Sequence, residues 1–190
     1  RLARQIKLGI TPKGTELPSR NDRVQPWMAH SEEEQQVFGR LAGAYAGMLE
    51  HTDTHLGRLV NFLNEANIVE NTMILVLSDN GASQEGGPNG FLNAMGPFNG
   101  RRESMEEKFQ KIEEIGGPKS HSNFPWGWAM ASNTPLKRYK QNTHGGGIRD
   151  PLVISWPEKI SVANEGGVRH QFCHVSDLAP TIFELIGLDM

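Results

Sequence analysis

Asn71-Thr-Met-Ile-Leu-Val-Leu-Ser-Asp79-Asn80-Gly81 decides the reading of this chain, because a near-continuous apolar strand delivers an acid and an amide to its carboxyl end. Sheets of α/β proteins build their ligand sites there. The run Met73-Ile-Leu-Val-Leu77 fits a strand buried on both faces of a parallel sheet. Asp79 and Asn80 offer one charged and one neutral hard oxygen, a pair better suited to Ca²⁺ or Mg²⁺ than to zinc. A divalent-metal hydrolase is the first expectation.

Upstream, Ser31-Glu-Glu-Glu34 is a capping box whose acids also suit the positive end of a helix dipole. Val37, Leu41, Tyr45, Met48, Thr52, His55, Leu59 and Leu63 then recur at three- and four-residue steps. They predict a long helix with one buried stripe through about Ala66, stopped at Asn67. His51 and His55 have a spacing that can chelate zinc, yet no Glu follows the first His and His55 falls on the apolar stripe, so a packed helix face is expected. Residues 1–30 carry Pro12, Gly14, Pro18 and Pro26 among charges and read as an extended lead-in lying over the rest. Residues 31–190 form the domain proper.

Downstream, about residues 82–134 are rich in Gly and Pro and read as a long loop insertion. Inside it, Met105, Phe109, Ile112 and Ile115 predict a short helix from Glu103. An insertion that starts at the Asp-Asn pair covers a substrate or is simply flexible. Trp126 and Trp128 line an aryl site or fill a core. Lys140 and His144 lead into the Gly145-Gly-Gly147 turn, where a cation and a proton donor can meet an oxyanion while the backbone passes close by. A solvated basic turn is the other reading. Asp150 to Trp156 predicts a second buried strand stopped by Pro157, Gln171 to Val175 a short third, and Asp177 to Gly187 a closing helix.

The 190 residues are 37% hydrophobic and 22% charged, an ordinary globular balance, and the net charge of −3 gives no basic footprint for nucleic acid. Cys173 stands alone, so no intramolecular disulfide or Cys-rich zinc module is available, and a small buried residue is the expectation for it. No apolar run is long enough to span a bilayer. The opening Arg1-Leu-Ala-Arg4 suits an internal piece of a longer protein, in which case a missing signal peptide carries no information about export.

Four ordered features together resemble the sulfatase family of the alkaline-phosphatase-like superfamily. Ala46-Gly-Met-Leu-Glu50-His-Thr-Asp53-Thr-His-Leu-Gly57-Arg58-Leu59 resembles the helix before its metal strand, and Ile74-Leu-Val-Leu-Ser-Asp79-Asn80-Gly81 its second metal-binding motif. Thr143-His144-Gly-Gly-Gly147-Ile-Arg149-Asp150-Pro151 with Trp156-Pro157 resembles its late glycine turn and strand, and Asp177-Leu-Ala-Pro180-Thr181-Ile-Phe-Glu-Leu-Ile-Gly187 its following helix. Trp126-Gly-Trp128-Ala-Met-Ala-Ser-Asn133-Thr134-Pro135 is especially similar to bacterial arylsulfatases. The ordered set is far more specific than any member.

The resemblance implies an incomplete alkaline-phosphatase-like α/β domain, with a mainly parallel sheet flanked by helices. It implies that Asp79 and Asn80 ligate a metal, Ca²⁺ ahead of Mg²⁺, and that Lys140 contacts the sulfate and helps stabilise the leaving oxygen. His144 takes a supporting role where many relatives carry an aromatic residue, Gly145 replaces a frequent glutamate, and Arg149 organises the turn. The implied substrate is a sulfate ester, either a small molecule or a glycan. The family's nucleophile, a formylglycine made within Cys/Ser-x-Pro-x-Arg, has no counterpart: Glu16-Leu-Pro18-Ser19-Arg20 holds the tail of that motif with a glutamate that cannot become the aldehyde. The nucleophile is expected on a longer parent, leaving this chain with little or no turnover and with uncovered apolar surface that favours self-association. A phosphodiesterase or phosphonate monoester hydrolase of the same superfamily and a non-catalytic binding domain are the alternatives.

Overall fold

The computed structural model describes residues 1–160 and 166–188, so residues 161–165 and 189–190 of the expected domain lie outside it. Helix α1 (Leu2–Lys7) occupies part of the lead-in, and α2 (Glu32–Glu65) runs for 34 residues. The capping box forms as expected, with Glu34 N donating to Ser31 Oγ at 3.2 Å and Ser31 N to Glu34 Oε2 at 2.9 Å. Three glutamates in the first turn complement the helix dipole. Asn67, in the left-handed region at φ 56°, lies just past the end of the helix.

The long stripe on α2 is buried only at its start. Val37, Phe38 and Leu41 are at most 2% exposed, whereas Tyr45, Met48, Leu59 and Phe62 are all exposed. Periodicity marks a face fit for burial, but burial needs a partner, and partners reach only the first turns. His51 and His55 correct the expectation of a packed face: both are exposed, their Nε2 atoms 3.1 Å apart, with Arg58 Nη1 3.0 Å from His55 Nδ1.

The partners of the buried turns come from the segment after the Asp-Asn pair. It holds α3 (Met95–Phe98), α4 (Met105–Gln110) with a 3₁₀ turn at Ile112–Glu114, and α5 (Trp126–Ser132). Leu92, Ile115, Phe124, Ala129 and Tyr139 join Val37, Phe38 and Leu41 in one core, with Trp126 and Trp128 packed at its edge. Irregular backbone can be buried only if its polar groups are answered. Glu103 accepts from Leu92 N at 2.7 Å and Asn93 N at 3.1 Å, while buried Lys108 donates Nζ to Asn89 O at 3.1 Å and Gly90 O at 2.8 Å. The lead-in lies over this unit, with Gln5 Nε2 donating to Thr134 O at 2.8 Å and Trp27 edge-on to Trp128.

The rest is sparsely covered. After the short helix α6 (Gly145–Ile148), β2 (Leu152–Ser155) pairs antiparallel with β1 (Ile74–Leu77), in a register that sets Leu75 opposite Ile154. Among the described residues this pair is the whole sheet, so the expected mainly parallel sheet buried on both faces is not what is found. Val76, Leu77, Val153 and Ile154 are 40–60% exposed. Apolar strands identify themselves as core-formers without saying which layers cover them. Gln171 to Val175 forms no strand and leads into a 3₁₀ turn at Val175–Asp177, with α7 (Leu178–Leu185) and left-handed Gly187 completing the expected terminal helix. Cys173 is exposed rather than buried, because no sheet forms around it.

Candidate active site

The chain turns as soon as β1 ends. Ser78 Oγ donates to Asn80 O at 2.9 Å, and Asn80 Nδ2 donates to Gly81 O at 3.0 Å, which commits the nitrogen end of the amide to the turn. Asp79 stays exposed. Gly81 then meets the glycine turn so closely that a Cβ there would lie 1.7 Å from Gly146 O. Gly146 and Gly147 are bare for the same reason, since a Cβ would come within 2.0 Å of Arg138 O and 2.1 Å of Asn142 O. Only glycine permits such backbone approach.

Backbone and side-chain bonds tie the Asp79-Asn80 turn to the Lys140 segment. Lys140 N donates to Ala82 O at 3.1 Å, and Ala82 N donates to Asn133 Oδ1 at 3.1 Å. Asn133 Nδ2 in turn donates to Gly146 O at 2.8 Å and Arg138 O at 3.1 Å. One amide therefore clamps three segments. Arg138 and Gln141 sit in the left-handed region at φ 67° and 69°, so the backbone carries unfavourable conformations on both sides of Tyr139-Lys140. Such residues persist where surroundings over-determine them, and functional sites are common places to find them. The result buries Tyr139 and leaves Lys140 half-buried, its Nζ 3.1 Å from Glu85 Oε1, beside a second tie from Gln84 Nε2 to Gln141 Oε1 at 2.8 Å.

The expected residues are not equally placed. Asp79-Asn80 and the Lys140 turn come together, whereas His144 heads α6 exposed and makes no capping bond with its imidazole, and Arg149 is exposed as well. Asn133 and Glu85 are the residues that sequence reading missed as site members. Asn133 reaches its partner at Ala82 across 51 residues, and no local pattern in one sequence marks such a contact.

The donor chemistry suits a hard cation. Asp150 has its carboxyl pushed up, chiefly by burial and then by the negative charge of Asp79. Among the described residues no group of three or more His, Cys, Asp or Glu side chains converges on one point. Asp79 and Asn80 therefore fit Ca²⁺ in kind but form only part of a six- to eight-oxygen shell.

Comparison with known proteins settles the family, since the sulfatase family model matches residues 12–188. The chain belongs to the sulfatase family. That membership carries the alkaline-phosphatase-like α/β fold. The chain is 29% identical to an arylsulfatase of Klebsiella aerogenes over 190 residues, covering 100% of this chain and 38% of that protein. It is 30% identical to an uncharacterized sulfatase of Schizosaccharomyces pombe over 97% of this chain and 32% of that protein. An N-acetylgalactosamine-6-sulfatase of Canis lupus familiaris is 28% identical over 146 residues, which are 77% of this chain and 20% of that protein. The sulfatase segment seen here thus spans well under half the length of these relatives.

Proposed function

We propose that this chain supplies the sulfate-recognition side of a sulfuric ester hydrolase, with Asp79 and Asn80 as two ligands of a Ca²⁺ site and Lys140 as the sulfate-contacting cation. The observation that carries the reading is the Gly81 junction, where the metal motif and the Lys140 turn touch backbone to backbone. When bound, the metal supplies polarisation and partial neutralisation of a sulfate group. Lys140 presents an ammonium to the same anion and to the charge that develops on the leaving oxygen. Asn133 holds the two segments in register, and His144 has a supporting role at most.

Relatives named as arylsulfatase and N-acetylgalactosamine-6-sulfatase favour sulfate over phosphate esters, as small aryl compounds or as glycans. The nucleophile and the remaining ligands belong to a longer polypeptide, in which Asp79→Ala is expected to remove turnover of an aryl sulfate. On this chain, Ca²⁺ at a hundredfold excess over its dissociation constant adds about 2.7 kcal/mol of stability. Calorimetric melting with and without Ca²⁺ should show that gain in the wild type and not in Asp79→Ala. An equal calcium response in both proteins removes Asp79 from the site, and metal-dependent turnover of an aryl sulfate by these 190 residues alone refutes the division of labour.

A further inference from the structure

We infer that Glu85 is a built-in counter-ion for Lys140: its carboxylate occupies the ammonium until a sulfate group displaces it, and so sets the anion selectivity of the site. The inference rests on the reading of Lys140 given above. Glu85 belongs to the stretch that follows the metal motif, and three ties bind that stretch to the lysine segment: Ala82 O to Lys140 N at 3.1 Å, Gln84 Nε2 to Gln141 Oε1 at 2.8 Å, and Glu85 Oε1 to Lys140 Nζ at 3.1 Å. The first two hold backbone and neighbour in place whatever the charge state. The third alone engages the ammonium.

Geometry makes the exchange feasible. Glu85 and Lys140 keep 47% and 31% of their side-chain surface exposed, so neither partner is locked inside the fold. Exposed ion pairs of this kind hold weakly. A singly charged carboxylate at 3.1 Å also presents oxygen to the ammonium much as one edge of a sulfate does. A weakly interacting anion must compete with Glu85, while a sulfate ester that also met a cation held by Asp79 and Asn80 would gain a second anchor and displace it. Glu85 is therefore a positioning residue, acting through Lys140 rather than on the ester.

The test uses the full chain, inorganic sulfate as probe, and acylation of individual lysines followed by peptide mass spectrometry. Sulfate should protect Lys140 but not exposed Lys137 in the wild type. In Glu85→Gln the reagent should acylate Lys140 faster without sulfate, because the amine has lost its partner, and sulfate should bind about two- to fivefold more tightly. Glu85→Asp, which keeps the charge, should stay close to wild type. A merely structural Glu85 predicts a lower melting temperature in both variants with sulfate affinity unchanged, and that outcome overturns the inference. An unchanged acylation rate in Glu85→Gln also overturns it, because the pair then does not form in solution. If sulfate protects Lys140 in no protein, the reading of Lys140 itself fails, a result distinguishable from failure of the counter-ion alone.

Discussion

Two halves of this molecule contain similar apolar material and treat it in opposite ways. The segment from Leu92 to Tyr139, poor in regular structure, closes around the first turns of α2 and builds the core. The strands β1 and β2, with the most core-like sequences in the chain, lie uncovered, as do Leu59 and Phe62 in the later turns of α2. The difference teaches that burial follows from available partners, not from apolar pattern alone. The irregular half has both its partners and answers for its buried backbone, through Glu103 and Lys108. The regular half has hydrogen-bonded strands and, among the described residues, no second layer.

The sharpest way to break this comparison is to truncate a residue in the packed half. Phe38 is 2% exposed, stands edge-on to His30 with ring centroids 5.0 Å apart, and lies in the core. Phe38→Ala should cost about 3–5 kcal/mol in chemical denaturation, combining lost transfer energy with a cavity. A loss below about 1 kcal/mol would mean that the core is not the stabilising unit.

A smaller effect should come from Lys108, which donates to two loop carbonyls while 3% exposed. Replacement by Met keeps the stem but orphans both acceptors, for an expected loss of about 1–3 kcal/mol. Its pH dependence has a definite sign. Burial is the chief cause that holds the ammonium below its ordinary 10.5, partly opposed by the charges of Glu103 and Glu107. Well below the folded value both states keep the proton; between that value and 10.5 the unfolded chain binds more protons, so this group raises stability as pH rises. Tyr139, raised above 10.0 chiefly by burial, acts oppositely as pH climbs through 10.0. Stability measured against pH should therefore show the wild type gaining relative to Lys108→Met through that alkaline window. A parallel pair of curves would deny the buried charge.

Local signals explain what was legible beforehand. The capping box at Ser31, the stop at Asn67, both strands and the terminal helix rest on neighbours in sequence, and all were readable. Asp79, Asn80 and Lys140 stand out in the sequence for a local reason too, since they lie at a strand end and before a glycine turn. The antiparallel pairing, the exposure of Cys173 and of the histidine pair, and the roles of Asn133 and Glu85 depend on which distant segments meet. Long-range contact leaves no period in a single sequence. The Gly81 junction lies between these cases: the glycines are visible, while the approach that requires them appears only when residues 81 and 146 are brought together.

The smallest expected change in stability lies on the bare sheet, and there it is the contrast between two measurements that matters. Val153 pairs with Val76 and is 60% exposed, so Val153→Lys removes little buried area and adds a charge that water can solvate. Its cost to this chain should stay within about 0.5 kcal/mol. An exposed apolar face can instead find its missing layer in another molecule, and a lysine on a strand face opposes that. Sedimentation velocity across a concentration series should then show self-association in the wild type and less in Val153→Lys, at nearly equal denaturation midpoints. Destabilisation comparable to that of Phe38→Ala would show that the strands are covered in solution, and the division into a packed and a bare half would fall with it.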